Sequence, residues 1–325
     1  MRQDIIAPVP LEAIMDELTC DKFFRKTNNA GNEIYIITAQ DSPNIMREIG
    51  RLREISFRDS GGGTGLDCDI DEFDTREENY FCQLLVWNPV DRAIVGGYRF
   101  LFCDDLPTDE QGQVDTPTSE LFWYSERFVK EYLPYTIELG RSFVQPEYQP
   151  SKSLSKGLYS LDNLWDGLGA LLDIYPEAKY YFGKVTMYPA LERTSRDMIL
   201  YFMQKHFPDK DRLVTPRPEL DLPILTDQAW LESVFNADNY RDNYKILVKQ
   251  VRERGAAVPP LVNAYMNLSP TLRTFGTALN PGFGKVEETG ILMTISDIFE
   301  EKLKRHLIYD KNEIPEHLKM PFYAN

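Results

Sequence analysis

Apolar residues recur along this chain with two periods, and the switch between them lays out the elements. Glu33–Thr38, Phe81–Trp87, Ala93–Phe102 and Thr136–Val144 are short, rich in β-branched and aromatic residues, and bounded by turn formers, which predicts strands. Asn88-Pro-Val-Asp91 joins the second and third as a hairpin turn. Between the first two, Ile45, Ile49, Leu52 and Ile55 fall on one helical stripe. Asp41-Ser42-Pro43 supplies the N-cap and first-turn residues for a helix over 44–57. Later, Leu161, Leu164, Trp165, Leu168 and Leu172 mark a helix over 158–174. A strand over 180–188 and a helix over 191–206 follow, then helices over 227–235 and 239–254. Two late strands, near 275–278 and 290–294, precede a charged terminal helix.

This order predicts a mixed α/β fold: a mostly antiparallel central sheet with helices on both faces. Residues 1–32 form an N-terminal extension with a short helix, and 33–300 a single domain carrying a helical insertion at about 190–257. Residues 301–325 form a C-terminal helix and tail. Neither repeats nor low-complexity segments interrupt the chain.

One strand stands apart. Thr136-Ile-Glu-Leu-Gly-Arg-Ser-Phe-Val144 alternates as a strand should, yet it contains Glu138, Gly140 and Arg141. Residues three apart on a regular strand point to opposite faces. A bulge at Gly140 restores the parity, turns both charges toward one cleft and interrupts the ladder, freeing a backbone N–H. Glu138 then suits a general base, and an N–H near Leu139 to Arg141 suits an oxyanion. A buried structural ion pair is the competing reading.

Charge and composition narrow the classes. The formal net charge is −15, which argues against nucleic acid as a partner and against tight binding to an anionic bilayer. The four cysteines, Cys20, Cys68, Cys82 and Cys103, lack C-x-x-C spacing, so no zinc site or disulfide framework is expected. The N-terminus lacks the apolar core of an export signal and no run approaches membrane-spanning length, which makes cytoplasmic the expected location. With only His206, His306 and His317, histidine-based chemistry is not expected.

Other motifs fall short of their templates. Ser60-Gly-Gly-Gly-Thr-Gly65 matches neither nucleotide-binding glycine pattern and reads as a flexible lid. Asp67, Asp69, Asp71 and Glu78 occupy ligand positions of a calcium loop, but Glu72 stands where the turn needs glycine. A calcium-responsive binding module is therefore the non-enzymatic alternative, and no metal is assigned. His306-Leu-Ile-Tyr-Asp310 is one residue short of the glycerolipid acyltransferase spacing, and Gly140-Arg-Ser142 lacks the second glycine of a nucleophile elbow. Lys152, Lys156 and Gly157 open a helix whose N–H groups and positive charge suit a phosphate.

Four segments in order make a more specific pattern: Arg53-Glu-Ile-Ser-Phe57, Asp71-Glu-Phe-Asp74, Ile94-Val-Gly-Gly-Tyr-Arg99 and Glu138-Leu-Gly-Arg141. Together they resemble the acyl-homoserine-lactone synthases and, more closely, the ornithine-lipid and glycine-lipid N-acyltransferases of the GNAT superfamily. The resemblance continues through Leu164-Trp-Asp-Gly167 and Val258-Pro-Pro-Leu-Val-Asn-Ala-Tyr265 and spans residues 33–300. It implies that Arg53, Phe57, Asp71, Asp74, Arg99, Glu138 and Arg141 line an acyl-transfer cleft beside a splayed, bulged strand. It also implies direct transfer of a long-chain, 3-hydroxy acyl group from acyl carrier protein to an amino acid, as in aminolipid biosynthesis. No bound cofactor is then expected, only a thioester co-substrate on 4'-phosphopantetheine or CoA, and peripheral membrane contact through the product. Asp71, Asp74 and Arg99 would hold the lid and one another, while Arg53 or Arg141 would pair with the acceptor carboxylate. An acidic carrier needs local basic charge, for which Lys152, Lys156, Lys179 and Lys184 are candidates. The pyrophosphate loop lacks the full pattern of acetyl-CoA enzymes, so a small-molecule acetyltransferase is the alternative enzyme.

Overall fold

The structure, a computed structural model, describes residues 2–306. In chain order it contains α1 (Leu11–Glu17), β1 (Phe23–Lys26), β2 (Glu33–Ile37), α2 (Pro43–Asp59), α3 (Glu72–Thr75), β3 (Cys82–Asn88), β4 (Ala93–Phe102), β5 (Phe122–Tyr124) and β6 (Thr136–Val144). Then come α4 (Leu154–Gly157), α5 (Ser160–Ile174), β7 (Tyr180–Met187), α6 (Arg193–His206), β8 (Val214–Pro216), α7 (Gln228–Val234) and α8 (Tyr240–Glu253). The last are α9 (Pro260–Met266), β9 (Arg273–Asn280), β10 (Val286–Thr294) and α10 (Glu300–His306). The mixed α/β class and its antiparallel pairing are those the periodicity predicts. The described elements fall into two compact units: residues 2–106 with 135–179 and 300–306, and residues 107–134 with 180–299.

In the first unit β1, β2, β3, β4 and β6 pair in that order, each antiparallel to the next. Phe23–Lys26, within the extension expected from the sequence, is thus a strand of the sheet. Pleating sorts β3 and β4 into two faces. One carries Gln83, Leu85, Arg99 and Leu101, and α2 lies against it, Arg53 reaching Gln83. The other carries Leu84, Tyr98 and Phe100 and receives α5, where a Cβ at Gly167 would sit 2.6 Å from Leu84 Cδ2 and 2.8 Å from the Tyr98 hydroxyl. Asp166, beside that glycine, is buried and accepts from the Asn28 N–H at 2.9 Å, with His306 Nδ1 at 3.0 Å. The Leu164–Gly167 motif therefore fixes a helix to the sheet and to its neighbours. Asp310 lies outside the described residues.

α2 starts where the sequence places it, but its cap comes from elsewhere. Ser42 occupies the N-cap position without capping; its hydroxyl donates to Asp41 and accepts from Lys22. Glu17 of α1 instead accepts from the N–H groups of Asn44 and Ile45 at 3.0 and 2.8 Å, a carboxylate placed against the positive helix end.

The second unit holds β7, β10 and β9 in antiparallel order and a two-stranded ribbon, β5 with β8. Phe128, Phe182 and Phe275 pack in its core with Tyr124, and α6 packs against α8. Lys184, a candidate for carrier docking, is half-buried here and donates to the Pro117 carbonyl at 2.8 Å and the Thr118 hydroxyl at 3.1 Å.

Candidate active site

The strand β6 is bulged, one residue beyond the expected glycine. Arg99 of β4 faces Gly140 and Gly97 faces Phe143, so two residues, Arg141 and Ser142, stand against the single Tyr98. The left-handed residue is Arg141, with φ +50°, and not Gly140. A Cβ at Gly140 would meet Arg99 Nε at an ordinary 3.4 Å. The glycine marks the neighbourhood of the bulge, but the unusual backbone falls on its neighbour.

Parity behaves as the bulge requires. Glu138 faces Leu101 and shares the α2 side of the sheet with Arg99. Arg141 reaches the same side: its Nε lies 2.9 Å from an Asp69 oxygen and its Nη2 3.6 Å from Asp71. Arg141 is thus paired with aspartates of the acidic run. Glu138 is 1% exposed and lies beside Cys103, whose thiol burial pushes well up, with the Glu138 charge adding to the effect.

Three arginines and three aspartates form one network on this face. Arg53, fully buried on α2, donates to Asp74 Oδ2 at 3.1 Å, to the Asp69 carbonyl at 3.4 Å and to Gln83 Oε1. Arg99 meets Asp71 at 2.7 Å and Asp74 at 3.2 Å, its guanidinium 5.0 Å from the Phe81 ring centre. Gln83 Nε2 donates at 2.9 Å to Asp74 Oδ1, the oxygen that Arg99 also approaches. Asp71 and Asp74 also close a capping box on the single turn α3, which fixes their directions. Burial pushes the Asp74 carboxyl up, but Arg53 and Arg99 outweigh it and hold the group well below the ordinary carboxylate range. At Asp69 burial wins over Arg141, Arg53 and Arg99, and the carboxyl is raised.

Arg53, Asp71, Asp74, Arg99 and Arg141 are therefore brought together, with Glu138 on the same sheet face. Phe57, one turn past Arg53 on α2, is buried. Arg53 is too deep to receive a substrate carboxylate, since its side chain is 0% exposed, whereas those of Arg141 and Asp71 are 18% and 31% exposed. Asp69 and Gln83 are network members that sequence reasoning missed. A glutamine inside the apolar run Phe81–Trp87 is the signal that would have found the second.

The aspartate loop is also tied down. Glu54 of α2 is buried and accepts from the N–H groups of Thr64 and Gly65 at 3.0 and 2.8 Å, from the Thr64 hydroxyl and from Arg58. The glycine run is consequently pinned to α2 and is not the free lid its composition suggests. The calcium-loop carboxylates do not converge, because Asp69 and Asp71 face arginines. Among the described residues no group of three or more carboxylate, histidine or cysteine side chains is placed to hold a metal ion.

At the helix entrance α4 is a single turn. Ser153 accepts from the Lys156 N–H, and Lys156 Nζ pairs with Asp91 at 2.8 Å over the Tyr148 ring. Lys152 is exposed, while Lys179 lies 3.6 Å from the centre of the Tyr135 ring. Gly157 is buried, and a Cβ there would stand 2.4 Å from the Pro150 nitrogen, so the backbone approach requires glycine. None of the helices among the described residues is long and apolar enough to cross a membrane.

A bulged antiparallel strand that carries a buried carboxylate, in a mixed α/β fold with helices on both sheet faces, defines an acyltransferase of the GNAT type. Residues 52–158 match the family described as acetyltransferase (GNAT) domain, a fold that takes its acyl group from a thioester co-substrate. Over 318 residues the chain is 56% identical to a glycine N(alpha)-acyltransferase of Phocaeicola vulgatus, covering 98% of this chain and 97% of that protein. It is 55% identical over 319 residues to a glycine N(alpha)-acyltransferase of Bacteroides thetaiotaomicron, covering 98% and 94% respectively. The chain belongs to the N-acyltransferase family of these relatives.

Proposed function

We propose that this enzyme transfers a long-chain, 3-hydroxy fatty acyl group from acyl carrier protein to the amine of glycine, as a step of aminolipid synthesis. The observation that carries the reading is the bulged strand. Glu138, buried on β6, shares a sheet face with Arg99, and the ladder is interrupted three residues further along. The names of two relatives, similar along almost their whole lengths, support glycine as the acceptor.

The chemistry follows from the acceptor. Glycine enters as an ammonium and must lose a proton before its nitrogen can attack; Glu138 takes that proton directly or through water. The nitrogen adds to the thioester carbonyl, and charge develops on the carbonyl oxygen, where a backbone N–H of the bulge at Arg141 and Ser142 donates. Collapse expels the carrier thiolate, which takes up the second proton shed by the nitrogen, and leaves the amide. No covalent enzyme intermediate is required. Arg141 is the arginine exposed enough to meet the glycine carboxylate, and Lys152, Lys156 and Gly157 attend the donor phosphate. The enzyme works in the cytoplasm and touches the inner membrane only through its product.

Incubation with 3-hydroxyacyl carrier protein and glycine should release one free thiol per acylglycine formed. Turnover with acetyl-CoA and none with the acyl carrier protein would favour the second reading, a small-molecule acetyltransferase, which the description of the matched domain supports. No product from any donor would overturn both.

A further inference from the structure

Arg141 takes a left-handed backbone conformation next to a glycine that would accept it at no cost. A side chain with a Cβ is disfavoured there, and Gly140 has neither a positive φ nor a contact that forbids one. Local preference alone would place the irregular residue one position earlier. Something outside the strand therefore decides where the bulge falls.

The grip on Arg141 comes from Asp69. Its carboxylate is almost fully buried, with Oδ1 accepting from Arg141 Nε at 3.1 Å and Oδ2 2.9 Å from the same nitrogen. Asp69 is itself clamped to α2 by both of its backbone groups. Its N–H donates to the Gly50 carbonyl at 3.0 Å, and its carbonyl accepts from Arg53 at 3.4 Å. The loop lies so close to the helix that a Cβ at Gly50 would stand 2.5 Å from Cys68 Sγ and 2.6 Å from Ile70 Cγ1. Asp71 also approaches Arg141, but from 3.6 Å and with its shorter contact given to Arg99. Asp69 is the member of the network with a rigid mounting and a direct hold on the bulge.

We propose that Asp69 is a positioning residue for the acyl transfer: through Arg141 it sets the register of the β6 bulge, and with it the placement of Glu138 and of the strand amide that meets the oxyanion. The proposal rests on the strand-centred mechanism above for its catalytic consequence, but not for its structural one.

Hydrogen exchange on the unliganded enzyme tests the structural part. In Asp69→Asn, amides at 139–143 should exchange about tenfold faster or more, while those of β3 keep the parent rate. Adding Arg141→Gly to Asp69→Asn should restore slow exchange in β6, because glycine adopts the left-handed geometry unaided. Unchanged β6 exchange in Asp69→Asn, or no recovery in the double variant, overturns the proposal, even if the single variant is loosened throughout. Turnover is read on the same samples. Asp69→Asn should lower kcat roughly tenfold or more. Altered β6 exchange with full turnover would leave Asp69 as the residue that sets the bulge and would remove the strand from the mechanism.

Discussion

At the scale of single residues, the proposed base Glu138 and the aspartates held by arginines should respond differently to substitution. Glu138→Gln keeps the shape of the side chain while removing the proposed base. Turnover should fall by about a hundredfold or more, with the melting temperature within a few degrees of the parent. A variant that melts much earlier yet keeps its specific activity would reduce Glu138 to a structural role. Asp74 should respond oppositely. Its loss as Asp74→Asn leaves the guanidiniums of Arg53 and Arg99 short of a buried counter-charge, a cost of about 3 kcal/mol or more. The pH dependence has a definite sign, because the folded group titrates below its ordinary value of 3.8. Its contribution is complete above that value and is lost as pH falls toward the depressed folded value. Asp69, raised by burial, acts in reverse and withdraws stability as pH rises through its folded value. Denaturant titrations from pH 6 to 2 should therefore show an acid limb that is flatter in Asp74→Asn. An identical limb in both proteins would mean that the Asp74 ion pairs do not survive in solution.

At the scale of elements, two glycines of similar appearance do different things. Gly97 on β4 lies so near β3 that a Cβ would meet the Leu84 carbonyl oxygen at 2.5 Å, a backbone atom that cannot swing aside. Gly97→Ala should accordingly destabilise by about 2 kcal/mol or more as the strands part. Gly140 has room for a Cβ and no positive φ, so Gly140→Ala should stay within about 1 kcal/mol of the parent. Paired thermal melts decide the matter. A larger loss at Gly140 than at Gly97 would mean that the bulge in solution falls on the glycine after all.

At the scale of the whole molecule, the proposed acidic carrier would meet a chain of net charge −15, whose long-range repulsion only local basic charge can overcome. The lysines considered for this task have unequal claims. Lys152 is exposed, Lys156 is tied to Asp91, and Lys184 is committed to Pro117 and Thr118. If docking depends on so few charges, acyl carrier protein should outcompete acyl-CoA of equal chain length, and its advantage should shrink as salt rises. Reversal of Lys152 to Glu should raise the carrier KM well above any change in the glycine KM. Equal use of both donors, indifferent to salt, would place the docking face elsewhere.

Local pattern was enough for much of this protein. Period-two and period-3.6 runs determined β3, β4, β6, α2, α5 and α8 to within a few residues, because each buries a face that sequence spacing alone can mark. The need for a bulge in β6 was equally local, a matter of parity between Glu138 and Arg141. What the sequence could not determine depended on distant partners. Glu17 capping α2, Glu54 binding the glycine run, Gln83 completing the arginine network and Asp69 holding Arg141 all join residues brought together only by folding. The step from Gly140 to Arg141 shows why. Backbone preference favours glycine for a left-handed turn, but a buried ion pair anchored on another element outweighs that preference, and only the tertiary structure contains the anchor.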